Sequence, residues 1–61
     1  MMEKWQYKID LLPNAEGEAD LISWLNAIGQ EGWELVECAI RKNDGGLSDV
    51  KGIFKRKIQQ G

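Results

Sequence analysis

One change of hydrophobic period constrains this chain more than any other feature. Over residues 4–11 the side chains of Trp5, Tyr7, Ile9 and Leu11 alternate with Lys4, Gln6, Lys8 and Asp10, the period-two pattern of a strand with one buried face. From Glu18 to Gly29 the period becomes helical. At 100° per residue Leu21, Ile22, Trp24, Leu25, Ile28 and Gly29 gather within about 160°, opposite Asp20, Ser23, Asn26 and Ala27. Between the two segments Pro13 cannot donate a ladder hydrogen bond and, with Asn14, is expected to end the strand. Residues 14–17 supply the turn, and Glu16, Glu18 and Asp20 suit the positive end of a helix dipole. Either Gly29 or Gly32 is expected to take the left-handed conformation that closes a helix.

Alternation then returns. Residues 33–41 read as a second strand and 50–58 as a third, joined by the turn Asn43-Asp44-Gly45-Gly46 in a loop that extends toward Asp49. On the third strand Val50, Phe54 and Ile58 share one face, and Lys51, Ile53, Lys55 and Lys57 the other. Gln59-Gln60-Gly61 is expected to fray. The fold class is α+β: a two-layer β-α-β-β sandwich forming a single small domain over residues 1–61. Its three-stranded sheet is expected in the order 1-3-2, with one helix on one face and a right-handed crossover.

Size sharpens the problem that this layout creates. A 6.9 kDa chain buries only about 60% of its unfolded surface, so small scaffolds usually add a disulfide, a metal or another subunit. One cysteine, Cys38, excludes an internal disulfide, and the lack of histidine removes the commonest zinc ligand and the usual neutral-pH base. Oligomerisation remains. The second strand supports it, because one of its faces carries Glu34, Val36, Cys38, Ile40 and Lys42 and the other Trp33, Leu35, Glu37, Ala39 and Arg41. Whichever face meets the helix, the opposite one still presents large apolar side chains. Trp33, Leu35, Val36, Ile40 and Ile53 are therefore the candidate self-association residues, in a homodimer or a higher homo-oligomer. The alternative is that Trp33 and Leu35 curl around the helix end.

Charge is unevenly distributed along the chain. Residues 1–37 hold eight acids and two lysines, net −6, and residues 38–61 hold six bases and two acids, net +4. Oppositely charged halves suit a molecule that attracts itself, within the fold or between subunits, and a pI near 4.9 argues against a nucleic-acid partner. No segment has the length and apolarity of a membrane span, the amino terminus lacks the apolar run of a signal peptide, and a lone thiol suits the cytoplasm.

Catalysis finds little purchase. Cys38 has no histidine to activate it and reads as a buried structural thiol. Glu31, Glu34 and Glu37 alternate faces on a regular strand, so they form neither an acid pair nor an oxygen-ligand metal site. Gly45-Gly46 lacks the spacing and the following helix of a phosphate loop. No catalytic residue, metal or cofactor is expected. Lys55 and Lys57 share a face while Arg56 points opposite, which fits edge protection and solubility; the functional alternative is an anion site at a subunit boundary. The candidate binding residues are Trp33, Arg41, Lys55 and Lys57, for a small nucleotide-like anion or an acidic partner protein. Trp5 and Trp24 read as core.

Trp5-Gln6-Tyr7-Lys8, the block Leu25-Asn26 through Gly29 to Gly32-Trp33-Glu34-Leu35-Val36, and Phe54-Lys55-Arg56 together form a pattern. It resembles a family of short bacterial and phage proteins known as a domain of unknown function. The resemblance covers nearly the whole chain and implies a small β-α-β-β fold with no catalytic residues to carry over; the hairpin 43–49 has no counterpart in it. The expectation is thus a non-enzymatic interaction module that self-associates through its sheet. The alternative is a small-ligand binder with sites between subunits.

Overall fold

The computed structural model describes residues 2–58; Met1 and the tail 59–61, expected to fray, lie outside them. The elements follow in the order β1 (Trp5–Ala15), α1 (Glu18–Gly29), β2 (Glu34–Lys42) and β3 (Ser48–Lys57). β3 lies between β1 and β2 and is antiparallel to both, giving the order β1-β3-β2. The expected α+β class and strand order hold.

α1 begins and ends by local chemistry. The Glu16 N–H donates to Asp20 Oδ2 at 2.9 Å, so a first-turn acid reaches back to the entering backbone. Gly32, at φ +91°, makes the left-handed turn after the helix, and its N–H donates to the Gly29 carbonyl at 2.9 Å. The side chain that anchors the helix is Trp24, which meets the Phe54 ring edge-on, with centroids 5.6 Å apart at 80°. Phe54 is only 1% exposed, and Val50, Ala15 and Ile28 complete the buried apolar core. Gly52, buried between Val50 and Phe54 along β3, leaves the space that the edge of the Phe54 ring occupies, with Trp24 beside it.

Pro13 does not end β1. Ile58 N–H donates to the Lys4 carbonyl at 2.9 Å, which makes Lys4 and Ile58 a hydrogen-bonded antiparallel pair. Along the register, the even residues of β1 therefore bond to β3 and the odd ones face the free edge. Pro13 falls on that free side, where its missing N–H breaks no ladder bond. The irregularity comes just beyond, between Leu12 and Ala15, where Asn14 adopts φ +58°. Its N–H donates to Asp49 Oδ1 at 3.0 Å, and its Oδ1 accepts from Asn43 Nδ2 at 2.8 Å. Asn43 Oδ1 in turn accepts from Gly45 and Leu47, so one side chain holds the hairpin and ties it to β1.

β2 departs from strict alternation. Leu35 pairs with Phe54 and Glu37 with Ile53, leaving Val36 as the extra residue of a β-bulge. Leu35, Cys38 and Ile40 consequently share the helix side, while Glu34, Glu37, Ala39 and Arg41 share the other. The separation of Glu34 from Glu37 onto opposite faces, expected from regular alternation, is cancelled by that one residue. As an edge strand, β2 is exposed along its whole length. Cys38 is therefore an exposed thiol, not the buried one expected.

Candidate functional site

α1 has 12 residues and β1 has 11, so a helix of about 18 Å lies over strands of about 36 Å. The other side of the sheet carries no element among the described residues. Cross-strand pairing decides what it presents. Since Phe54 meets Trp24, its partners Lys8 and Leu35 belong to the helix side, and the alternate residues belong to the open side. That open side carries Trp5, Tyr7, Ile9 and Leu11 from β1. Here the sequence expectation is overturned: the alternating apolar row does not lie beneath the helix. Tyr7, Ile9 and Leu11 are 63%, 62% and 63% exposed, and Trp5 is also exposed.

The remaining rows follow from the register. β3 contributes Lys51, Ile53, Lys55 and Lys57, directly opposite Leu11, Ile9, Tyr7 and Trp5. β2 contributes Glu34, Glu37, Ala39 and Arg41, with Val36 at the bulge. The face therefore runs from an apolar edge row, through lysines flanking Ile53, to a mixed charged row. Lys55 Nζ lies 4.5 Å from the centre of the Trp5 ring and 4.0 Å from Glu34 Oε1. Lys57 Nζ lies 2.8 Å from Glu3 Oε1, and this lysine holds the Glu3 carboxyl below its ordinary pKa. Both pairs join the acidic first part of the chain to its basic end, so the expected self-attraction operates within the fold.

The five expected self-association residues do not form one surface. Leu35 and Ile40 lie on the helix side, where they stay partly exposed because the helix is short; Val36 sits at the bulge, and Ile53 alone joins the open row. Trp33 is also on the helix side, between Lys8 Nζ at 4.8 Å and the Arg56 guanidinium at 4.4 Å from its ring centre. Arg56 also donates to Gln6 Oε1 at 3.0 Å and to the Glu31 carbonyl at 3.3 Å, clamping the α1–β2 connection to the sheet.

The four expected binding residues do not converge either. Trp33 is on one side of the sheet and Lys55, Lys57 and Arg41 on the other. Arg41 pairs with Asp49, eight residues along β3 from Lys57, a separation of roughly 27 Å. Arg41 instead lines an open groove of about 460 Å³ with Leu11, Pro13, Ala39, Asp49 and Lys51. Among the described residues no cluster of three or more acidic or cysteine side chains could hold a metal, and no helix is long and apolar enough to cross a membrane. Comparison with protein-family models, with curated proteins and with solved structures found no match.

The surface area is the remaining quantity. A compact monomer of this mass exposes about 4,000 Å², whereas this fold exposes 4970 Å². The excess reflects the flat, elongated shape of the fold, 48 × 17 × 11 Å. No sequence signal alone marks Trp5, Tyr7, Ile9 and Leu11 as surface residues. The β1–β3 register does, by setting them beside the lysines of β3.

Proposed function

We propose that this protein is a non-enzymatic interaction module that self-associates through its sheet. The observation that carries the reading is the row Trp5-Tyr7-Ile9-Leu11, continued by Ile53, standing exposed on the side of the sheet opposite the helix. Contiguous apolar surface of this kind marks an association site. The scarcity of buried residues gives the chain a thermodynamic use for a partner. Light scattering behind a sizing column tests it: a mass of two or more chains at micromolar concentration is expected, and a 6.9 kDa species throughout would overturn it.

A second reading, a binder of small anions, draws on the groove in which Arg41 and Lys51 rise beside Leu11 and Ala39. Its test is a thermal-shift screen of nucleotides. A ligand at a hundredfold excess over its Kd stabilises by about 2.7 kcal/mol, and charge reversal at both Arg41 and Lys51 should abolish that gain.

A further inference from the structure

We infer, resting on the self-association reading, that the free edge of β1 is the joint, and that it pairs antiparallel with β1 of a second copy in a register centred on Ile9. Among the described residues no strand lies beyond β1 in the sheet. Its odd residues turn their backbone N–H and C=O groups away from β3, a ready template for another strand. β1 runs without irregularity from Trp5 to Leu12. The other edge is blunted. There Glu37, Ala39 and Arg41 bond toward β3, and the straight part of β2 that shows Cys38, Ile40 and Lys42 stops at the bulge at Val36.

Self-complementarity points to a copy of this chain and sets the register. Pairing about a two-fold axis perpendicular to the sheet keeps every residue on its own side, so placing one residue on its counterpart fixes all the others. With Ile9 at the axis, Tyr7 faces the second copy's Leu11 and Trp5 its Pro13. On the helix side Lys8 faces the second copy's Asp10, and Asp10 its Lys8. Lys8 and Asp10 already lie 3.0 Å apart within one chain, so the four charges alternate in sign around a rectangle. The backbones exchange about eight hydrogen bonds, and Pro13, which has no N–H, costs only the outermost one at each end. Neighbouring registers do worse. Centring on Lys8 sets lysine on lysine, and centring on Asp10 sets aspartate on aspartate. Centring on Tyr7 puts Leu11 opposite Glu3, before the strand begins at Trp5. Centring on Leu11 puts Lys8 opposite Asn14, in the irregular stretch. The product is one continuous sheet with both helices on the same side.

Hydrogen exchange followed by NMR on the parent chain tests the joint. The amides of Tyr7, Ile9 and Leu11 are expected to exchange at least tenfold more slowly in the concentrated, associated protein than after dilution to monomer. Those of Lys8 and Asp10, bonded to β3 in either state, should change little. Charge exchange tests the register. Lys8→Glu and Asp10→Lys each set like charges opposite one another and should weaken self-association at least tenfold. In an equimolar mixture of the two variants every acid meets a lysine, and sedimentation should find the dimer mass restored. A dimer whose odd β1 amides exchange as fast as in the monomer overturns edge pairing. A mixture no heavier than its separate variants overturns the register centred on Ile9. Species larger than a dimer, with the Cys38 and Ile40 amides protected as well, would show β1 laid on β2 and overturn the two-fold joint. These three results leave self-association standing, whereas a monomer at every concentration overturns that reading and the joint with it.

Discussion

Gly52 offers the sharpest test of how the helix is held. A Cβ built there would lie 2.8 Å from Phe54 Cε1, 2.9 Å from Phe54 Cζ and 3.1 Å from Trp24 Cη2. The first two distances are closer than carbon atoms pack, and Phe54 cannot retreat because it is the most buried side chain of the core. Gly52→Ala must therefore force the Phe54 ring against its packed neighbours, Trp24 among them, and overpacking of this kind costs about 1–3 kcal/mol. Relief of the entropy that glycine loses on folding returns about 0.5–1 kcal/mol. The expected net loss is about 1–2 kcal/mol, or a Tm lower by roughly 5–15 °C for a domain of this size. Thermal unfolding followed by circular dichroism reads it, at one fixed protein concentration because association would shift Tm. Gly29 is the control, since a Cβ there meets nothing within 4 Å and Gly29→Ala should stabilise by about 0.5–1 kcal/mol. Combining Gly52→Ala with Trp24→Leu should cost less than the sum of the two single losses, because the two positions share one contact. A Gly52→Ala protein as stable as the parent would refute the account of the Phe54 ring packed over Gly52 with Trp24 against it.

Other outcomes follow from the same geometry. Ile9→Glu is expected to weaken self-association by a thousandfold or more in sedimentation: each copy loses about 2–3 kcal/mol of isoleucine burial, and a two-fold interface counts it twice at about 1.4 kcal/mol per decade. The same variant should keep its circular dichroism spectrum, since Ile9 lies outside the buried core. Arg56→Met removes the donor to Glu31 and Gln6 and the cation over Trp33, and should cost about 1–2 kcal/mol in urea unfolding, with a change in tryptophan fluorescence. Asp49 has its pKa lowered by the Asn14 N–H and then by the Asn43 side chain. A depressed folded pKa gives stability that is full above the unfolded value near 3.9 and is lost as pH falls through the folded value. Asp49→Asn should therefore flatten the acid limb of the stability curve below about pH 4, measured as denaturation midpoint against pH.

The element order, the helix bounds and the 1-3-2 sheet were legible because each rests on local chemistry: a period, a capping acid, a glycine turn. Legibility stops where one residue changes a face. Val36 enters as a bulge between Leu35 and Glu37, and nothing in Glu34-Leu35-Val36-Glu37 distinguishes it from regular alternation. Pro13 reads as a terminator unless it is known that its nitrogen faces the free edge of the sheet. The expected binding set Trp33, Arg41, Lys55 and Lys57 failed to converge for a related reason: side and distance depend on register, and register is a tertiary quantity.

Register also bears on why the aromatic row is on the surface at all. Slip β1 by one residue against β3, and Trp5, Tyr7, Ile9 and Leu11 would join Val50 and Phe54 beneath the helix. The open face would then carry Lys4, Gln6, Lys8 and Asp10 beside Lys51, Lys55 and Lys57, a well-hydrated surface for a monomer. That monomer would ask one helix of 12 residues to roof four large side chains on β1 in addition to Phe54, with the Phe54 and Trp24 rings already filling the space above Gly52. The observed register instead sets Lys8 and Asp10, paired at 3.0 Å, at the flank of the helix and sends the bulky row to the side with room for it. The helix side is thereby filled to its capacity, and the apolar surplus is gathered on a single flat face where a second sheet can lie. A one-layer roof and a two-faced apolar pattern are reconciled most economically by pairing two such sheets, which is why the register itself supports the self-association reading.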